Sequence, residues 1–354
     1  MKTLCVGYDK RFLDHRPPPG TYHPENPDRL TIALSALERC SIPRRSVPAP
    51  QEVSREPALE IHDKSYVRLV EELSSRGFEW IDPDTYVSPG TWRAALAALA
   101  LTRRLLELLL EGSCGLAIAL VRPPGHHAGR VGRALGAPTQ GFCIFNNIAS
   151  VAALALSKGL SPVLIVDVDV HHGNGTQEIF WEEPRVVHVD LHGDYLYPGT
   201  GDVSDIGGGD GRGSKVNVPL PPGSRNDDYL YVFQRVVAPL ASVAKPRVLL
   251  VSAGFDAYEG DGLASMLLNE EGYRGMGRAL ACIALRYSSA APLLVLEGGY
   301  SEGLDKGLPA MLRGLAEGLR GLCEEEMRAR PSPRVERVVG RVLRILREFY
   351  GDLR

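Results

Sequence analysis

The feature that most constrains the fold is a series of short, nearly unbroken apolar runs: Leu4–Tyr8, Leu116–Val121, Val163–Val168, Val186–Leu191, Val248–Val251 and Leu293–Leu296. None alternates strictly, and each is followed by Gly, Asp, His or another polar turn residue. Strands of a parallel sheet covered on both faces read this way, because both sides of each strand are buried. Helical patterns lie between the runs. Thr91–Leu110 is rich in Ala and Leu and is followed by Gly112 as a stop signal. Ile148–Leu156, Asp228–Val243 and Glu270–Arg286 also carry helical periodicity. Strands alternating with helices predict βαβ units and a doubly wound α/β sheet. The alternation resumes after each Gly/Pro-rich segment, so a single domain over 1–354 is predicted. Its tail carries an amphipathic helix at about 333–350, with apolar residues at 335, 338, 339, 342, 346 and 349.

Composition excludes several classes. The net charge is −3, with 44% hydrophobic and 23% charged residues, which fits a folded globular chain and not a disordered one. It gives no support to nucleic-acid binding through net charge. No stretch approaches the roughly 20 apolar residues of a membrane span. The apolar run near Met1 is too short for a signal peptide. The six Cys form no CxxC pair. They are predicted to be buried free thiols in a reducing compartment, taken as the cytoplasm.

The chemistry concentrates at the carboxyl ends of the predicted strands, where open α/β sheets bind ligands. Val163–Val168 runs into Asp167-Val168-Asp169-Val170-His171. The strand period of two places Asp167, Asp169 and His171 on one side. Ionisable groups buried there need compensation. A divalent metal supplies it, and two carboxylates with an imidazole suit Zn²⁺ or another first-row ion; an Asp–His hydrogen-bonded cluster is the alternative. Asp256, just after Val248–Val251, can supply a third ligand or act as an ordinary turn residue. His126 and His127 follow a third strand through Arg122-Pro123-Pro124-Gly125, as ligands or proton-transfer groups. Tyr300 follows a fourth, through Glu297-Gly298-Gly299, and a Tyr hydroxyl there can donate to a developing oxyanion.

Together these segments resemble the zinc-dependent deacetylase family, which includes histone deacetylases and acetylpolyamine amidohydrolases and has an arginase-like α/β fold. The matching pieces are RPPGHHA at 122–128, QGFCIFNN at 140–147, DVDVHHGNGTQ at 167–177, YPGTGD at 197–202, NVPL at 217–220, GFDA at 254–257 and EGGY at 297–300. HPENPDR at 23–29 and DTYVSPGT at 84–91 extend the match.

The resemblance implies one Zn²⁺ per chain on Asp169, His171 and Asp256. His126 and His127 become the tandem histidines, with Asp167 behind His126 and Asn174 behind His127. Tyr300 becomes the transition-state donor. Gly141, Phe142 and Tyr197 line an acyl-lysine channel, with Leu263 near its rim and Asp84 as a rim acid. A structural K⁺ or Na⁺ is implied on Asp167, Asp169, His171, Asp190 and Leu191, largely through backbone oxygens.

The sequence departs from the pattern in places. Asn174 stands where some members have Asp, so His127 should keep a lower pKa than His126 and serve as the neutral base. Asp190 stands where many members have Ser. The loop at 130–139 is long.

The implied reaction is hydrolysis of an acetylated amine. The short segment between Asp14 and Arg29 tilts the substrate toward acetyl-lysine in protein or peptide and away from acetylated polyamine. A two-metal ureohydrolase and a non-catalytic acyl-lysine binding module are the rival readings. Oligomeric state is not legible.

Overall fold

The computed structural model describes residues 3–323 and 329–353. Its strands are β1 (Leu4–Gly7), β2 (Arg44–Val47), β3 (Glu79–Asp82), β4 (Thr85–Val87), β5 (Leu116–Ala119), β6 (Val163–Asp167), β7 (Val186–Gly193), β8 (Lys215–Leu220), β9 (Val248–Ala253) and β10 (Leu293–Leu296). Eight of them form one sheet in the order β2-β1-β5-β10-β9-β6-β7-β8. Every pairing in that sheet is parallel. β3 and β4 form a separate antiparallel hairpin. The six apolar runs all became strands of the large sheet. Buried side chains from Leu4 to Leu346 make the main core, and a smaller cluster gathers around Tyr66, Val70, Leu99 and Phe145.

Helices cover the sheet. Thr91–Leu110 forms as read, and Asn147–Ser157 and Glu270–Tyr287 differ from expectation by a residue or so. Asn146 caps the second of these by accepting from the Ala149 N–H. The Asp228–Val243 pattern is two helices, Asn226–Val232 and Ala238–Ala244, joined by a π-helical turn at Phe233–Val237. A second π turn, Gly303–Gly307, leads into Leu308–Gly318. Each π turn immediately precedes a helix with Pro in its first turn, Pro239 and Pro309. Proline cannot donate the i→i−4 bond, and the wider turn absorbs the gap in the ladder. The tail helix is Pro333–Tyr350, capped by Ser332, with Val335, Val339, Val342 and Leu346 buried. No helix among the described residues is long and apolar enough to cross a membrane.

Several elements escaped the sequence reading. β2 is RRSV, an edge strand with three of its four residues exposed, so it carries no apolar run. Lys64–Arg76 is polar apart from a stripe of Tyr66, Val67, Val70 and Leu73.

The cysteine expectation is corrected. Cys5 is bonded to Cys114 and Cys282 to Cys323, while Cys40 and Cys143 are free and buried. The first pair is 109 residues apart in sequence, and the parallel pairing of β1 with β5 brings it together. Spacing along the chain could not reveal that. Cysteine usage therefore no longer supports a reducing, cytoplasmic setting.

One buried histidine fixes the approach to the site. His62 Nδ1 lies 2.7 Å from the Gly129 carbonyl, and its Nε2 accepts from the Asn146 N–H at 3.0 Å. The ring is thus held neutral, and burial pushes its pKa down to about 4. An unfolded His titrates near 6.5, so below that pH the unfolded chain takes a proton that the folded chain refuses. Stability from this group is complete above about pH 6.5 and falls until about pH 4. The loss should reach roughly 2 kcal/mol by pH 5, at 1.36 kcal/mol per unit. Chemical denaturation of wild type and His62→Gln at pH 7 and pH 5 checks this: the variant should lose less stability on acidification.

Candidate metal centre and active site

The strand ends bring the site residues together. β6 ends at Asp167, and Asp169 and His171 lie in the irregular segment beyond it. Asp169, His171 and Asp256 present donor atoms within 4.8 Å of one another. His171 Nδ1 lies 3.2 Å from Asp169 Oδ1 and 3.0 Å from Asp256 Oδ2. Asp167 belongs to a different group, with His188 and Asp190. Asp167 Oδ2 lies 3.1 Å from His126 Nδ1 and Asp169 Oδ1 3.9 Å from His126 Nε2, so both carboxylates face that ring.

Each carboxylate is braced by a backbone N–H from another loop. Gly298 N donates to Asp169 Oδ2 at 2.7 Å, and Val170 N to Asp256 Oδ1 at 3.0 Å. Gly298 is required here. A Cβ on it would fall 2.2 Å from Asp256 Oδ2 and 2.6 Å from Asp169 Oδ2.

The donor set fits a cation. Burial and the Asp169 charge push the Asp256 pKa up to about 6. Burial alone would depress His171, but its hydrogen bonds to Asp169 and Asp256 bring its pKa up to about 10. The imidazole carries positive charge at the place where two buried carboxylates demand it. A divalent ion meets the same demand and leaves His171 as a neutral ligand.

The tandem histidines have unlike partners. His126 Nδ1 lies 3.1 Å from Asp167 Oδ2. His127 Nδ1 lies 2.8 Å from Asn174 Oδ1. The Asn174 amide nitrogen donates to the Ala134 carbonyl at 2.9 Å. Its oxygen therefore faces His127, which must carry its proton on Nδ1 and its lone pair on Nε2. Burial disfavours charge on both rings. For His126, the Asp167 and Asp169 carboxylates outweigh burial and hold the pKa well above the ordinary value. For His127, burial and the neighbouring His126 charge hold it well below.

The same cavity, of about 280 Å³, is lined by His126, His127, Asp169, His171 and Tyr300. Gly141, Phe142, Tyr197, Leu263 and Asp84 complete its wall, so all five residues expected in the channel are brought together there. Gly141 and Phe142 have φ of 56° and 69°. A left-handed Phe is strained, and the strain sits where the ring meets the Tyr300 ring edge-on at 6.2 Å. The 130–139 loop reaches the rim through Thr139. Its hydroxyl donates to Asp84, and its carbonyl accepts from Tyr197 at 2.9 Å.

The sequence reading missed the residues that hold the loops. Glu297 accepts from Gly125 N at 2.8 Å and His126 N at 3.1 Å, fixing the histidine segment. Asp261 accepts from Tyr300 N at 2.9 Å and Gly303 N at 3.0 Å. Arg29 donates to the Gly299 carbonyl at 2.7 Å and lies 4.7 Å from the Tyr300 ring centroid. Arg29 and Glu297 were visible only as members of HPENPDR and EGGY, and Asp261 lies in neither. Nothing in their spacing points to one another.

A parallel sheet with a three-donor candidate metal site and paired histidines at its carboxyl edge has the architecture of the arginase/deacetylase fold class. The histone deacetylase domain model matches residues 23–315. This chain is similar to an uncharacterised protein of Methanocaldococcus jannaschii, 43% identical over 97% of this chain and 96% of the relative. It is also similar to a probable deacetylase of Archaeoglobus fulgidus, 36% identical over 89% of this chain and 86% of that one. The crystal structure of the HDA15 HD domain superposes with a TM-score of 0.87 at 36% identity, covering 99% of this chain and 98% of that one. The chain belongs to the histone deacetylase family and is a hydrolytic deacetylase.

The asymmetry of the histidines is testable. Asn174→Asp puts a carboxylate beside His127 and should raise its pKa by about 1 unit or more. Side-chain NMR titration of the two rings reads this directly, and an unmoved His127 would show that Asn174 does not set its state.

Proposed function

We propose that this chain is a zinc-dependent deacetylase acting on acetyl-lysine in protein or peptide, releasing acetate and the free amine. The observation that carries the reading is the shared cavity: Asp169 and His171 of the three-donor cluster completed by Asp256, two histidines of opposite protonation preference and a Tyr line one narrow space. Asp169, His171 and Asp256 would hold the zinc, which would supply Lewis-acid polarisation of the amide carbonyl and activation of water.

The chain's own groups do the rest. His127 is neutral, with its Nε2 lone pair free, and accepts the proton of the attacking water. The Tyr300 hydroxyl donates to the oxygen that gains charge as the carbonyl carbon becomes tetrahedral. His126, held protonated by Asp167, gives its proton to the leaving nitrogen. Phe142 and Tyr197 flank the aliphatic stem of the lysine and exclude water from it. Asp84, at the rim, grips the substrate backbone. Its present partner, Thr139, must yield for it to do so.

The lysine preference rests on the early segment. Within Asp14 to Arg29, His15, His23, Glu25 and Arg29 are buried and 19–22 are exposed, so only a short stretch of chain is left to narrow the entrance against small polyamines.

Purified, zinc-loaded protein should hydrolyse an acetyl-lysine peptide with higher kcat/KM than acetylputrescine; the reverse order would transfer the assignment to polyamines. Tyr300→Phe should lower kcat by about 10²–10³, the usual cost of losing one oxyanion donor. Unchanged turnover would remove Tyr300 from the mechanism. The acid limb of kcat/KM should reflect His127: activity falls as pH drops through its depressed pKa, and Asn174→Asp should move that limb to higher pH.

A further inference from the structure

The tail helix carries a face that the catalytic reading does not use. Arg334, Arg337, Arg341, Arg344 and Arg347 are exposed along Pro333–Tyr350. Their spacing of three or four residues makes them neighbours on the helix surface, in a row about 20 Å long at 1.5 Å per residue. The opposite side, Val335, Val339, Val342 and Leu346, is buried in the core. The acids of the helix, Glu336 and Glu348, stand near its two ends.

Helix stability does not ask for such a row. Like charges three or four residues apart weaken a helix, and cations in its first turn oppose the dipole. Lys64–Arg76 shows the ordinary arrangement in the same chain: Arg68 and Arg76 both meet Glu72, and Arg55 meets Glu71. On the tail helix, among the described residues, Arg341 pairs with Asp202 at 3.7 Å and Arg347 with Asp352 at 3.1 Å, while Arg334, Arg337 and Arg344 enter no ion pair. The chemistry of the row selects its occupant. The apolar side of the helix is buried in the core and has nothing to insert into a lipid surface. A protein interface needs an apolar centre, and among the described residues of this helix the exposed large apolar side chain is Phe349, in its last turn. A phosphate backbone needs neither, because cations placed one after another hold it and arginine forks grip its oxygens in pairs.

We propose that the arginine face of the tail helix binds the backbone of duplex nucleic acid without sequence preference, and that it delivers acetylated, nucleic-acid-bound protein to the cavity. The net charge of −3 averages over the whole chain and does not describe this face. Two contacts place the face beside the cavity mouth. Asp202, the partner of Arg341, lies in the same β7–β8 connection as Tyr197, which lines the cavity. Just before the helix, Arg330 lines a second cavity, of about 590 Å³, with Arg225, Glu259 and Leu267. Glu259 and Leu267 flank the segment that carries Leu263 to the rim. Delivery rests on the deacetylase reading; binding does not.

The test is fluorescence anisotropy of the full chain with a labelled mixed-sequence DNA duplex of about 20 base pairs, between about 50 and 200 mM NaCl. Wild type should bind, with log K falling against log salt at a slope between about −2.7 and −4.5, the range for three to five phosphates. The triple variant Arg337→Gln, Arg341→Gln, Arg344→Gln should bind at least about tenfold more weakly and lose about 2.7 of that slope. The control Arg55→Gln, Arg68→Gln, Arg76→Gln should keep both. An acetyl-lysine peptide tethered to the duplex should show a lower KM than the free peptide; the tail-helix variant should lose that advantage and keep wild-type turnover of the free peptide. No duplex binding at about 50 mM salt, or equal affinity and slope in the tail-helix variant, would overturn the proposal. So would capture of phosphatidylserine vesicles or polyglutamate in place of the duplex. A tethered peptide with no advantage would overturn delivery. If neither peptide is hydrolysed, the deacetylase reading fails and anisotropy still decides binding.

Discussion

The constraint on which the structure depends is buried negative charge at the carboxyl edge of the sheet. Asp167, Asp169, Asp190, Asp256 and Glu297 are each at most 1% exposed. Bare carboxylates at that depth are prohibitive. The chain compensates them with backbone N–H groups drawn from loops after other strands. The acid following β6 takes Gly298, beyond β10. The acid following β9 takes Val170, beyond β6. The acid following β10 takes Gly125 and His126, beyond β5. The acid in β7 takes Gly173, beyond β6. Charge and loop geometry are thus one problem: Asp169, Asp190, Asp256 and Glu297 each shape the loop after another strand, and that loop's N–H groups make the carboxylate tolerable.

A second buried network holds the other side of the cavity. Glu25 is flanked by Arg29, Arg122, His15 and the Tyr86 hydroxyl, all of them buried. Burial alone would raise the Glu25 pKa; Arg122 and His15 reverse that and hold it well below the usual range. Such networks contribute little net stability compared with apolar packing, because desolvation consumes most of the attraction. Their effect here is placement. Arg29, fixed by Glu25, clamps the carbonyls of Glu297 and Gly299 and lies over the Tyr300 ring. The motif HPENPDR therefore acts on Tyr300 from 270 residues away in sequence. Asp261 completes the clamp from the opposite side.

Much of this was legible in the sequence because parallel strands buried on both faces announce themselves as apolar runs, and the polar residue ending each run marks the functional edge. The candidate donors Asp169, His171 and Asp256 lie at or just beyond strand ends, and the pairs His126–Asp167 and His127–Asn174 came with the motif match. What was illegible depends on contacts between distant segments. The Cys5–Cys114 bond needs the β1–β5 pairing. The edge strand β2 and the β3–β4 hairpin are too polar and short to stand out. His188 was hidden differently. It lies inside a run read as apolar, yet His188, Asp190 and His192 alternate along β7 and so share a face. Three ionisable side chains on one face of a buried strand was the available signal, and the surrounding valines masked it.

The tandem histidines show how two identical neighbours acquire different chemistry. Both rings are buried and both are penalised for holding charge, so burial cannot distinguish them. The partner behind each ring does. A carboxylate behind His126 can compensate an imidazolium; the Asn174 amide behind His127 can only orient the ring. Asn174 is itself oriented by a carbonyl of the 130–139 loop, at Ala134. The same loop reaches the rim through Thr139, where it engages Asp84 and Tyr197. One segment, unremarkable in sequence except for its length, thus touches both the base and the entrance. Changes in that loop therefore bear on the partner of His127 and on the cavity wall together.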